Sequence, residues 1–394
     1  MGKENVVIVG GGGHVGLPLG LALAKVGHDV ISYDISQETV DIINDGNMPF
    51  LENGAGELLK QNLHKNFIAT TDISVISKAS TIIVVIGTPV DEYLAPNPNT
   101  VVDVIKEISK YFKDDQLLLL RSTLFPGVAN QVSRYINEYF PKISVAYCPE
   151  RIIEGDALQE LFTLPQIIGT HDLNVYIKSK KIFESLGVKT IQVSPAEAEL
   201  AKLFTNVWRY IKFAVANQFY MISNDLGIDY ENVKKTISFD YPRAIDLPSA
   251  GFTAGPCLFK DTMQLSALMN QKFMLGHSAM LINEGMPGYI IDKLKIKFDL
   301  KELNVGILGM SFKANVDDSR GSLAYKLRKL LMFECKEVLV TDVHIKNKNF
   351  TELNEVLSKS DLIIIGAPHK EYQHLKFDKP VIDIWNFYGT GVEI

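Results

Sequence analysis

The sequence predicts an α/β protein made of two doubly wound parallel-sheet domains joined by a central helical region with one long helix. Three observations predict this. Short apolar strands alternate with helical segments over roughly the first 190 residues. The alternation stops between Ser194 and about Leu294, and it resumes from about Lys301. Strand–helix alternation of this kind calls for parallel strands with crossover helices on both faces of each sheet.

In chain order, the strands expected in the first domain are Asn5–Val9, Asp29–Tyr33, Thr81–Ile86, Gln116–Arg121, Ile143–Cys148 and Gln166–Gly169. Helical periodicity lies between them, for example from Gly16 to Val26. Pro195 can open a helix at its first turn, and nothing breaks the helical pattern from there to about Leu226. A helix of roughly 30 residues exceeds what one core needs. It reads as a spine between two domains, with a face left over for a second subunit, so a homodimer through this helix is expected. Asn304–Leu308, Glu337–Val340, Asp361–Ile365 and Pro380–Ile384 are the strands expected in the last domain. The division that follows is residues 1–193, 194–294 and 295–394.

Composition narrows the function. The net charge is −6 with no long basic run, which argues against a nucleic-acid partner but leaves room for a local basic pocket. No apolar stretch reaches the roughly 18 residues of a membrane span. The N-terminus passes directly into a short strand without a signal-peptide core. The expectation is a cytoplasmic protein with no membrane partner. Cys148, Cys257 and Cys335 are odd in number and widely spaced, which gives neither a disulfide framework nor a zinc site, so no metal is expected.

Residues 5–16 read NVVIVGGGGHVG. Gly11, Gly13 and Gly16, with His14 and Val15 between the last two, fit G-x-G-x-x-G after a strand and at the opening of a helix. Glycines there allow a tight turn and close approach of the backbone to a pyrophosphate, which the helix N-terminus faces. Asp34 ends the next strand, near the usual offset of about 20 residues. Its carboxylate would accept hydrogen bonds from both ribose hydroxyls and repel a 2′-phosphate, so NAD is favoured over NADP. A ligand-free glycine turn, FAD or another adenine nucleotide, and Asp34 as a surface turn residue are the competing readings. The motif makes the first domain Rossmann-like, and the returning alternation makes the last a second domain of that kind.

Cys257 lies in GFTAGPCLFKDT, where Gly, Ala and Pro predict a loop and an accessible thiol. Lys260 and the start of a following helix could favour its thiolate, and Asp261 could activate water. A buried structural thiol is the alternative. Cys148 ends an apolar strand and Cys335 sits in a helical run, so both read as core residues. A nicotinamide enzyme that only interconverts alcohol and carbonyl has no use for a thiol. One that oxidises an aldehyde can pass through a thiohemiacetal and a thioester.

With these blocks in place the chain resembles the nucleotide-sugar 6-dehydrogenases, the family of UDP-glucose, UDP-N-acetylhexosamine and GDP-mannose dehydrogenases. Eight segments occur in the family's order: GGGHVGLP, NDGNMPFLE, GTPV, RSTLFPG, CPERIIEG, AELAKLFTNVWR, GFTAGPCLFKD and GMSFKANVDDSRGS. The resemblance implies a four-electron oxidation of the sugar C6 alcohol with two NAD in succession. It also implies an N-terminal NAD domain, a central dimerisation region and a C-terminal UDP-sugar domain.

Residue roles are implied one at a time. Cys257 matches the nucleophile. Lys202 matches the lysine of the oxyanion hole, which Asn206, one helical turn on, would join. A helix-interior hydrogen bond is the other reading of Asn206. Asp261 matches the acid that orients water, and Thr123 and Glu150 match positions that hold this water and aid proton transfer. Glu154 matches a further acid near the sugar, or is an ordinary solvated glutamate. Arg243 resembles an arginine that reaches substrate, in some members across the dimer, and otherwise is a surface arginine. Gly251 and Lys313 match substrate-binding positions, and Arg320 a cofactor-reaching one. Thr88 matches a position near the NAD, or is a strand-end turn residue. Domain closure would complete such a site.

The chain departs from the family pattern at Thr253-Ala254-Gly255-Pro256, where Gly-Gly is usual, and at Gln218, where an acid commonly follows Asn217. Substrate signals conflict: CLFKD resembles the UDP-glucose and GDP-mannose branches, and CPER the N-acetylhexosamine branch. UDP-glucose is favoured, with UDP-N-acetylglucosamine or UDP-N-acetylmannosamine as the alternative. A single-step hydroxyacid-type dehydrogenase and a non-catalytic nucleotide-sugar sensor are more distant rivals.

Overall fold

The computed structural model describes residues 3–91, 96–391 and 394. The chain divides into two compact units, Met1–Thr205 and Asn206–Ile394. The strands of the first unit are β1 (Asn5–Val9), β2 (Asp29–Tyr33), β3 (Phe67–Thr70), β4 (Thr81–Val84), β5 (Leu117–Leu120), β6 (Ser144–Tyr147), β7 (Gln166–Gly169) and β8 (Thr190–Val193). They form an eight-stranded sheet in the order β3-β2-β1-β4-β5-β6-β7-β8. Helices α1 (Gly16–Lys25), α2 (Gln37–Asn44), α3 (Ala55–Asn62), α4 (Asn99–Ile108), α5 (Val128–Tyr139), α6 (Ala157–Leu161) and α7 (Leu173–Glu184) lie between them in the chain.

Unbroken apolar strands such as VVIV, TIIV and LLLL follow from burial on both faces. Val6, Ile8, Ile83, Leu117 and Leu119 enter one core with α1 and α7. Their neighbours Val7, Val9, Ile82, Val84, Leu118 and Leu120 enter a second core with α4 and α5. All strand pairs are parallel apart from one antiparallel bridge, Tyr147 of β6 with Gly169 of β7. The segment between these two strands contains only the five-residue α6, shorter than an ordinary crossover helix.

The long helix α8 (Pro195–Asp225) has 31 residues, and the division between the units falls within it. Phe204, Trp208, Val215, Phe219 and Ile222 are exposed at helical spacing along its course, and Leu226 just after it. The second unit continues with α9 (Tyr230–Ser238), α10 (Leu258–Leu268) and α11 (Met274–Lys297). Then come β9 (Asn304–Leu308), α12 (Leu323–Glu334), β10 (Glu337–Thr341), α13 (Leu353–Lys359), β11 (Leu362–Ile365) and β12 (Val381–Ile382). The strands form a four-stranded parallel sheet in the order β10-β9-β11-β12. Among the described residues, no helix is long and apolar enough to cross a membrane.

The two sheets share a local device that their sequences conceal. Gly10 after β1 (φ +78°) and Gly309 after β9 (φ +90°) are left-handed. A Cβ on either would press on a backbone carbonyl, Val85 O at 2.1 Å or Ala367 O at 2.4 Å. An aspartate beyond the neighbouring strand then ties down the loop. Asp34 accepts from Gly12 N at 2.9 Å, and Asp342 from Met310 N at 2.6 Å and Ser311 N at 3.1 Å.

Candidate active site

In the first unit the loop after β1 leads into α1, whose first turn has Val15 as N-cap, no side-chain cap and no acidic residue. The positive end of the helix dipole there favours an anion. The glycines divide by role. A Cβ on Gly11 would lie 2.3 Å from Ser32 Oγ, and one on Gly16 2.4 Å from Gly10 O. At Gly13 the nearest heavy atom would be 3.6 Å away, so this backbone can be approached closely. Asp34 is set by its bond from Gly12 N and a second from Ser36 N at 3.1 Å. An open glycine, an uncapped helix start and a fixed carboxylate suit the pyrophosphate and adenosine ribose of NAD.

His14 stacks on Phe50, with ring centroids 4.0 Å apart and planes at 22°. Its Nε2 lies 3.2 Å from Glu154 Oε1. The structure therefore brings a residue of the cofactor loop to the glutamate expected near the sugar. Glu52, at the end of NDGNMPFLE, holds the same segment by accepting from Gly155 N at 3.0 Å and Leu158 N at 3.2 Å. Burial pushes the Glu52 carboxyl upward, against these N–H bonds. Thr88 donates its hydroxyl to Thr123 O at 2.9 Å, which joins GTPV to RSTLFPG.

Glu150 is buried. One carboxylate oxygen pairs with the Arg121 guanidinium, and the other accepts from Arg151 N at 2.7 Å and Ile152 N at 3.2 Å. Lys202, in the α8 segment of this unit, is also buried.

In the second unit Cys257 is exposed and is the N-cap of α10. A helix N-terminus favours a thiolate over a thiol. Asp261, one turn into α10, is fully buried. It accepts from Asn206 Nδ2 at 2.6 Å and lies 3.4 Å from Lys260 Nζ. The amide of Asn206 is thus engaged by Asp261, a side-chain partner that helical spacing alone does not reveal.

The cysteine loop packs against the segment carrying Lys313 and Arg320. A Cβ on Gly255 would meet the Phe312 ring at 2.7 Å, and one on Gly321 would meet Gly255 O at 3.2 Å. Arg320 pairs with Asp318 through Nε and Nη2. Lys313 is partly buried. Gly251 is held by packing: its N–H donates to Asn217 Oδ1 at 3.0 Å, and a Cβ there would lie 2.4 Å from the Trp385 ring. Asn217 in turn donates to Asn283 Oδ1 at 2.9 Å. Arg243 is exposed, over the Tyr241 ring at 5.2 Å.

Arg121, Phe50, Glu52, Asn217 and Trp385 were absent from the sequence reading of the site. Arg121 carried a signal, since a charged residue directly after LLLL must leave the ladder or find a buried partner. The others show themselves only through long-range contacts.

Comparison with known proteins places this geometry. Three models of the UDP-glucose/GDP-mannose dehydrogenase family match in order: the NAD binding domain over residues 4–187, the central domain over 196–285 and the UDP binding domain over 306–390. A UDP-N-acetyl-D-mannosamine dehydrogenase of Methanocaldococcus jannaschii is 30% identical over 389 residues, covering 96% of this chain and 88% of that one. The structure of UDP-D-ManNAc dehydrogenase from Pyrococcus horikoshii superposes with a TM-score of 0.87 at 25% identity, covering 94% of this chain and 91% of its own. A UDP-glucose dehydrogenase from Pyrobaculum islandicum shares the fold with a TM-score of 0.87 at 23% identity, over 97% of this chain and 94% of that one.

Proposed function

The chain belongs to the UDP-glucose/GDP-mannose dehydrogenase family, and we propose that it oxidises the C6 alcohol of a UDP-N-acetylhexosamine, UDP-N-acetyl-D-mannosamine foremost, to the carboxylate. It is an NAD-dependent nucleotide-sugar dehydrogenase with a UDP-binding C-terminal domain. The choice of sugar draws its support from the relatives that act on UDP-N-acetyl-D-mannosamine and from Arg151 in CPER. This support outweighs the CLFKD signal, and the weight moves from UDP-glucose to the alternative.

The observation that carries the four-electron reaction is Cys257, an exposed thiol at the start of α10 with buried Asp261 one turn later. Held by the glycine loop and Asp34, NAD would supply the hydride acceptor for both oxidations, one molecule for each. Lys202 and Asn206 stabilise the oxyanion at C6. Cys257 Sγ adds to the aldehyde carbon to give the thiohemiacetal, and hydride loss leaves a thioester. Water then adds to the thioester carbon and Sγ departs, giving carboxylate and free thiol. Asp261, Thr123 and Glu150 orient that water and take up its proton. Glu154, Gly251, Lys313 and Arg243 bind the nucleotide sugar; Gly11, Gly13, His14, Val15, Gly16, Asp34, Thr88 and Arg320 bind the dinucleotide. The apolar stripe of α8 is the homodimer contact.

The test is NADH formation with UDP-N-acetyl-D-mannosamine, UDP-N-acetyl-D-glucosamine, UDP-glucose and GDP-mannose. The expected result is fastest turnover with the first, two NADH per sugar and a carboxylate product. Cys257→Ser should abolish net turnover; near-normal steady-state rates in that variant would sink the covalent route. Preference for UDP-glucose would sink the choice of sugar alone.

A further inference from the structure

We propose that Arg121 is a positioning residue that fixes Glu150 as a carboxylate and thereby sets the pH range over which the enzyme turns over. The inference rests on the reading of Glu150 as part of the water-handling chemistry. Arg121 leaves the end of β5 and is completely buried. Its Nη1 donates to Cys148 O at 3.3 Å and Gln166 Oε1 at 3.1 Å. Its Nη2 donates to Gln166 Oε1 at 3.1 Å and to Glu150. The guanidinium carbon lies 5.0 Å from the centre of the Phe183 ring. Nε has no hydrogen-bond partner.

An arrangement serving stability alone would not need this. Burying two charges costs several kcal/mol, and apolar residues of similar volume commonly replace such pairs without loss. Here the fork is held from the far side by Gln166, Cys148 and Phe183, and Nη2 directs its other N–H at Glu150. The other oxygen of Glu150 is fixed by Arg151 N and Ile152 N. All donors at this carboxylate favour its charged form. Tyr147 and Cys148 on β6 and the turn after it, and Arg151 beside Glu150, are the titratable groups facing the guanidinium. Burial lowers Arg121 to about 10, with Arg151 adding to this against Cys148 and Tyr147, so it remains a cation at working pH. Removing that cation must raise the proton affinity of Glu150.

The test is the pH dependence of kcat/KM for the full-length enzyme with its fastest nucleotide-sugar substrate, alongside melting temperature and NAD affinity. Arg121→Met should move the acidic limb upward by about one pH unit or more, with NAD affinity unchanged. The neutral-pH loss of kcat should be partly recovered as pH rises. Arg121→Lys keeps the charge and should keep the limb. Gln166→Leu frees the guanidinium at its far side and should move the limb in the same direction by less, a readout that stands even if Arg121→Met does not fold. Glu150→Gln should remove the limb, and adding Arg121→Met to it should cost no further activity. An unmoved limb in both Arg121→Met and Gln166→Leu, or additive losses in the double variant, would overturn the role of Arg121. A wild-type limb in Glu150→Gln would instead overturn the reading of Glu150 on which it rests.

Discussion

Position separates the three cysteines. Burial pushes the Cys148 thiol up to about 12 and the Cys335 thiol to about 11, whereas Cys257 is exposed at a helix N-terminus. The sequence pointed to this order because a Gly/Ala/Pro loop and an apolar strand bury side chains differently. Asp34 was equally legible, since the motif fixes its offset from the glycines. Asp34→Ala should lower kcat/KM for NAD about tenfold or more, the value of one or two charge-assisted hydrogen bonds. It should also raise the ratio of NADP to NAD turnover. Steady-state kinetics with both dinucleotides check this, and an unchanged ratio would remove Asp34 from the ribose site. Glu150 was visible only as a residue. Its partner Arg121 lies 29 positions earlier, and no local pattern announces a pairing across two strands.

Among the elements of the first sheet, the apolar inner strands are readable from sequence and the two edge strands, β3 and β8, are not. β3 and β8 have exposed or half-buried positions along their length, so they lack the unbroken apolar run that marks β4 and β5. The sequence reads strand ends one or two residues long at Thr81–Ile86, Gln116–Arg121 and Ile143–Cys148; at the first and third, apolar residues continue after ladder pairing stops. The loop after β10 shows what only packing reveals. Asp342 accepts from Met310, Ser311, His344 and Ile345 N–H groups and meets His369 Nε2 at 3.1 Å. Asn315 N donates to His369 Nδ1 at 2.9 Å, which leaves the ring proton on Nε2, facing Asp342 and Ser311. Burial alone would raise the Asp342 carboxyl; the hydrogen bond from His369 and the backbone N–H groups outweigh it and hold the group at about 2 against an ordinary 3.8. A depressed carboxylate stabilises the fold above its unfolded pKa, and that stability is lost as pH falls through the folded one. Asp342→Asn should therefore cost about 2 kcal/mol at neutral pH. The difference from wild type should shrink as pH drops below about 4. Urea unfolding at neutral pH and at the lowest pH where both variants fold checks the sign.

For the whole molecule, the exposed stripe from Phe204 to Ile222 on α8 is large for a surface helix. If it is the homodimer contact, Trp208→Glu with Phe219→Glu should shift sedimentation from dimer to monomer at micromolar protein while leaving far-ultraviolet circular dichroism unchanged. A wild-type chain that sediments as a monomer would dismiss the dimer. The same scale exposes the likeness of the two sheets. Gly10 with Asp34 and Gly309 with Asp342 repeat one loop design, although GGGHVG and GMSFKA share little that a sequence reader would align.

The sequence by itself determined the fold class, the glycine loop with Asp34 after the next strand, the long helix and the loop setting of Cys257, because each depends on a composition, periodicity or spacing carried within one short stretch of chain. Only the tertiary structure decided which side chains those residues meet: Asn206 with Asp261, His14 with Phe50 and Glu154, Thr88 with Thr123, and Arg121 with Glu150. Such pairings join positions from 29 to 140 residues apart. They are fixed by which strands and helices become neighbours, and local propensity carries no record of that.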